Sequence, residues 1–240
     1  MPVRLAFYLL LILCGACQPT TFRQCPNPHT DPTKRLYNDI VTELIERRFY
    51  NAYLPEKERE ELWRHFAEVD HAGSSGPNDS AWHQARNARL QNQLFQDSAH
   101  FQTFYLDISP TKSALRLAEL PDSFPALRPW SDIVAMITAL TPHQPQATLD
   151  RLNHVQTAMQ AAEFQLCTAR LRTLNNEQHQ RESAARTITL SEVVFNARQD
   201  QALLSYGWRC GSRCGFGEVL LVEKTNGRWH IRQAVQTWIS

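Results

Sequence analysis

Residues 187–239 read TITLSEVVFNARQDQALLSYGWRCGSRCGFGEVLLVEKTNGRWHIRQAVQTWI, and this stretch decides the fold. Apolar and polar side chains alternate along it, a period of two that belongs to strands and not to helices. Four segments stand out, at 187–196, 201–210, 218–224 and 228–239. Their connections carry turn chemistry. Residues 196–200 (NARQD) are a short polar loop, and Asn226-Gly227 is the dipeptide best suited to a two-residue hairpin turn. The expectation is an antiparallel meander of about four to five strands, with one face in need of an apolar cover.

The cover is expected upstream. Asp31 can cap a helix and Pro32 occupies its first position. Leu36, Ile40, Val41, Leu44, Ile45 and Phe49 then recur at three and four, which makes one apolar stripe. A second helix is predicted after Pro55, through Leu62, Phe66 and Val69. Residues 72–80 (AGSSGPNDS) read as a loop, with Ser80 capping a third helix that turns Trp82, Leu90, Leu94 and Phe95 inward. Residues 101–108 look extended. Pro110, Pro121, Pro125, Pro129, Pro142 and Pro145 interrupt the middle, leaving short helices at 131–140 and 148–162 and a strand at 164–174. The predicted class is α+β, an N-terminal helical layer on one face of a C-terminal antiparallel meander. No internal repeat or low-complexity tract is visible.

The N-terminus reads as an address. Arg4 is followed by nine apolar residues at 5–13 (LAFYLLLIL) and then by Gly15-Ala16. That is the pattern of a secretory signal peptide, and the apolar run is too short for an ordinary spanning helix. The run 13–17 (LCGAC) resembles a bacterial lipoprotein signal, in which the Cys after a Gly-Ala pair receives a diacylglycerol. It departs from that family at Cys14, where Leu is usual. The resemblance implies lipidation at Cys17, whereas ordinary cleavage after Ala16 would give a soluble secreted protein. The expected organisation is a signal peptide at 1–16, a Pro- and Thr-rich tether at 17–31 and one globular domain at 32–240. Over the whole chain 25 Lys and Arg face 24 Asp and Glu, a formal charge of +1. Loss of Arg4 with the signal would leave the mature chain balanced. Such neutrality excludes charge-driven nucleic-acid binding. The expected partner is a membrane, through the lipid; any protein or small ligand is left open.

With Cys14 removed and Cys17 lipidated, Cys25, Cys167, Cys210 and Cys214 remain, an even set with three possible pairings. Cys210 and Cys214 are close enough to bridge a tight loop, which leaves Cys25 for Cys167. In the alternative, Cys25 lies in a mobile tether and Cys167 is a buried thiol. The segment 210–217 (CGSRCGFG), followed by Glu223-Lys224, Asn226-Gly227 and Trp229, resembles the C-terminus of uncharacterised exported bacterial proteins that look like lipoproteins. That resemblance covers about the last fifty residues and implies no activity.

Other chemistry finds little footing. A thioredoxin-like site has two residues between its cysteines and a helix N-terminus beside them, and the 210–214 loop has three residues and a strand context. A metal site needs three or four ligands, and only His230 lies near this pair in sequence. No metal or other cofactor is expected. His65, His71 and His83 show no H-E-x-x-H spacing, and neither G-x-S-x-G nor a P-loop occurs. The run 56–61 (EKEREE) reads as a solvated helix face. Trp208, Trp229 and Trp238 are expected as core or cross-strand aromatics, and two of them on the solvent side would make a binding face. Alternation puts Trp208 and Arg209 on opposite faces, and likewise Trp229 and His230. The leading expectation is a non-catalytic envelope protein with a binding or structural role. The alternative is a hydrolase-like envelope enzyme with a pocket between helices and sheet, which would draw on groups such as His65, Asp70 or Glu163.

Overall fold

A computed structural model describes residues 25–58, 60, 61, 64, 98–109, 128–174, 186–211 and 214–240. Helix α1 spans Pro32–Arg47, with Pro32 in its first turn and the Asp31 carboxylate accepting from the Lys34 N–H at 2.9 Å. The predicted stripe is its buried face: Leu36, Ile40, Val41, Leu44 and Ile45 are all 0% exposed. Each such side chain contributes about 1.5–3 kcal/mol by leaving water. Phe49 lies past the helix end yet stays in the core, stacked on Trp208 with centroids 4.3 Å apart. A 3-10 turn follows at Tyr50–Tyr53. Residues 56–58, 60, 61 and 64 are helical, where the second helix is predicted. The rest of that helix, the 72–80 loop and the helix capped by Ser80 lie outside the described residues.

Among the described residues the sheet has seven strands: β1 (Thr103–Asp107), β2 (Arg170–Thr173), β3 (Thr187–Leu190), β4 (Val194–Phe195), β5 (Gln201–Gly211), β6 (Cys214–Thr225) and β7 (Arg228–Ile239). Its order is β2-β1-β3-β5-β6-β7, with β4 also paired to β5. The antiparallel meander from β3 to β7 matches the sequence reading, including the turn between β6 and β7. There Asn226 and Gly227 both take positive φ, 52° and 78°, the backbone a twisted two-residue hairpin requires.

Two features differ from expectation. The sheet is larger and mixed, because β1 runs parallel to both β2 and β3. Segment 187–196 is also two strands. Leu190 faces Tyr206 while Val194 faces Leu203, four steps against three, so one extra residue is bulged between β3 and β4. The second difference is the placement of the helices. Helices α2 (Arg128–Leu140) and α3 (Pro145–Asn153) pack Ile133, Met136, Ile137 and Leu152 against Leu203, Val219 and Val235. Helix α1 packs on Leu204, Tyr206, Leu220 and Val222. Adjacent strand residues such as Leu203 and Leu204 point to opposite faces, so the sheet is covered on both sides and not on one. Central strand β5 accordingly reads as a continuous apolar run, buried from Ala202 to Trp208. Pro145 opens α3 instead of breaking a helix. Of the predicted strand 164–174, Arg170–Thr173 is strand, and the residues before it form an irregular segment that carries Cys167.

Candidate functional site: a buried disulfide and its carboxyl

Cys25 and Cys167 form a disulfide with Cα atoms 5.4 Å apart and a sequence separation of 142. The segment 25–31, part of the expected tether, lies along α1. The Asn27 amide donates to the Arg35 carbonyl at 2.9 Å and to the Asp39 carboxylate at 2.7 Å, and the Arg228 guanidinium donates to the Cys25 carbonyl at 2.6 Å. Cys25 is 2% exposed, while Cys167 is half-buried.

Helix α1 carries a carboxyl to this bridge. Glu46, 6% exposed, sets Oε1 3.8 Å from Cys25 Sγ. Burial pushes its carboxyl up from the ordinary 4.5 to about 7. The Thr168 hydroxyl, Arg47 and Arg228 pull it back and Glu43 adds to the rise. Thr168 Oγ1 is itself buried and makes no hydrogen bond of ordinary geometry, so its hold on Glu46 is loose. The Tyr53 hydroxyl donates to the Thr168 carbonyl at 2.6 Å, and burial, with Glu46 next, raises that phenol above its usual range. The donor atoms of Cys25, Glu46 and Cys167 lie within 4.8 Å of one another. A closed disulfide has no thiolate to offer a metal, so in the oxidised state this is a bridge with an acid beside it and not a ligand set.

The second bridge, Cys210–Cys214, has Cα atoms 5.1 Å apart and ties the ends of β5 and β6. Both cysteines sit in strands, and neither lies at a helix N-terminus, the setting that lowers a thiol pKa. Beyond it Gly215 and Gly217 make a flat floor for the Trp238 ring. A Cβ at Gly217 would lie 2.0 Å from Trp238 Nε1, so glycine is required there by close approach. The Arg209 guanidinium stands 6.0 Å from the centre of the same ring. The tryptophans do not share a solvent face. Trp208 and Trp229 are buried on the α1 side, and Trp238 pairs with Gly217 on the other.

Glu163 is held structurally. Its carboxylate accepts from the Gln160 N–H at 2.8 Å and pairs with Lys34, which together hold it below the usual carboxylate range. Cys17, His65, Asp70, His71 and His83 lie outside the described residues. Sequence reasoning passed over Glu46 and Asp39. The available signal was their spacing of seven, two helical turns, along the flank of the α1 stripe. It also passed over Glu218, which pairs with Arg48 and accepts from the Tyr206 hydroxyl at 2.5 Å at the edge of the aromatic core. No protein-family model, curated protein or solved structure matches the chain. The resemblances read from the leader and from the 210–217 loop therefore rest on those residues alone.

Proposed function

We propose that the chain is an exported protein, held at the cell envelope by a lipid on Cys17, with a binding or structural rather than a catalytic role. The observation that carries this reading is the Cys25–Cys167 bridge. A disulfide buried against the main helix forms and persists in an oxidising compartment, as an exported chain requires. The apolar leader at 5–13 and the Gly-Ala-Cys ending at Cys17 supply the matching address. Two or three acyl chains at Cys17 suffice for stable anchoring, since each buried methylene contributes about 0.8 kcal/mol. Residues 17–24 can span at most about 29 Å at roughly 3.6 Å each, and from Cys25 onward the chain is bound to α1. The domain is thus kept within one protein diameter of the bilayer.

The test is fractionation of cells expressing the full chain, with intact mass of the purified product. Wild type is expected in membranes, beginning at a lipid-modified Cys17 and four hydrogens lighter than its reduced form. Cys17→Ser is expected in the soluble fraction. Recovery of a product that retains Met1 and four free thiols at positions 25, 167, 210 and 214 would overturn the reading.

A further inference from the structure

The Cys25–Cys167 bridge is asymmetric. One sulfur belongs to a residue only 2% exposed with a carboxyl oxygen 3.8 Å away, and the other belongs to a half-buried residue in the irregular segment before β2. A structural staple needs no acid at its sulfur, and burying a carboxyl there has a cost that packing alone would avoid. We infer that Cys25, Cys167 and Glu46 form a thiol-exchange site, in which a dithiol attacks Cys167 and Glu46 delivers the proton to the departing sulfur of Cys25.

The step balances as follows. One thiolate of the dithiol attacks Cys167 Sγ, a mixed disulfide forms there, and the S–S bond breaks with its electron pair on Cys25 Sγ. That sulfur takes the Glu46 proton, which water replaces. The second thiolate of the reductant then attacks its own sulfur in the mixed disulfide. Cys167 is released and protonated from water, and the reductant leaves as a disulfide. Two electrons and two protons have passed to the protein. A thiolate expelled into a dry interior is a poor leaving group unless a proton meets it, so the acid must sit on the buried side, where Glu46 is. The attacked sulfur is assigned to Cys167, the less buried of the two residues.

Glu46 is suited to this task because it holds its proton well above the ordinary carboxyl range. The charged and titratable groups around it are Arg47 and Glu43 on α1, Arg228 on β7 and Tyr53 on the turn after the helix, with the Thr168 hydroxyl beside them.

The experiment is reduction of the oxidised full chain by dithiothreitol from pH 5 to 9. Free thiols are alkylated at intervals, and the two bridges are followed separately by peptide mass. Rates are divided by the dithiothreitol thiolate concentration. The Cys25–Cys167 constant is expected to be high at low pH and to fall as pH rises through about 7, where Glu46 loses its proton. Glu46→Gln is expected to lower the constant below that pH by about tenfold or more and to abolish the bend, the low side of what a positioned acid supplies. The Cys210–Cys214 constant should be unchanged in the variant and is the internal standard. Identical profiles for wild type and Glu46→Gln would overturn the assignment. Should the variant fold poorly, wild type alone decides it, since a flat corrected profile for Cys25–Cys167 gives the same refutation.

Discussion

Removing the two bridges one at a time should cost unequal amounts, in an order the chain length sets. A cross-link stabilises mainly by restricting the unfolded chain, more so as the loop it closes grows. Cys25–Cys167 closes a loop with a sequence separation of 142, and Cys210–Cys214 one of 4. The chain-entropy relation then gives about 5 kcal/mol for the first and about 2 kcal/mol for the second. Native domains have only about 5–15 kcal/mol to lose. Cys25→Ala with Cys167→Ala is therefore expected to bring the protein near the edge of folding, and Cys210→Ala with Cys214→Ala to leave it folded. The assay is urea unfolding without reductant, read through tryptophan fluorescence, to which Trp208, buried against Phe49, contributes. The long-loop variant should show the lower midpoint and a steeper slope, because its unfolded state exposes more surface. Equal losses, or a larger loss for the hairpin variant, would refute the entropic account and the role given to the long bridge.

Other perturbations test single contacts. Glu46 binds its proton more tightly in the folded chain, at about 7 against 4.5, so stability is unaffected below pH 4.5 and falls as pH rises to about 7. Glu46→Gln should match wild type near pH 4 and exceed it by up to about 3 kcal/mol at pH 8, with chemical denaturation under non-reducing conditions as the check. Gly217→Ala should cost about 1–3 kcal/mol, because its Cβ would overlap Trp238. The same change in a Trp238→Ala background should cost far less, and a thermal-melt double-mutant cycle measures the difference. Asp39→Ala strands the Trp229 N–H, which donates to Asp39 at 3.1 Å, and takes one of two acceptors from the Asn27 amide. A loss of about 3 kcal/mol is expected by calorimetry, and a neutral result would remove Asp39 from the set of buried anchors.

The C-terminal half was legible because its signals are local. Alternation along 228–239 and Asn226-Gly227 need only neighbours in sequence, and the Asp31-Pro32 start of α1 is equally local. The parallel strands were not legible in this way. β1 meets β2 and β3 across more than sixty residues of intervening chain, and a five-residue strand says nothing about its partner. The two-sided burial of β5 was written in its sequence, since 202–208 (ALLSYGW) hardly alternates. The stronger alternation of β7 drew the reading to a one-sided sheet. The candidate site was half legible. Cysteine spacing pointed to the short Cys210–Cys214 pair and left Cys25–Cys167 open, a pairing that the structure shows, while Glu46 was hidden among the charged residues of α1, because nothing local marks a carboxyl that tertiary packing will bury.

The bridges also have an order. From the N-terminus, the first of the four described cysteines joins the second, and the third joins the fourth. In a chain exported N-terminus first, as proposed, Cys25 and Cys210 would each find a native mate in the next of these four cysteines to emerge. The residue that could spoil it is Cys17, which would arrive just ahead of Cys25 as a competing thiol. Under the proposed lipidation, a thioether at that sulfur would remove the competitor.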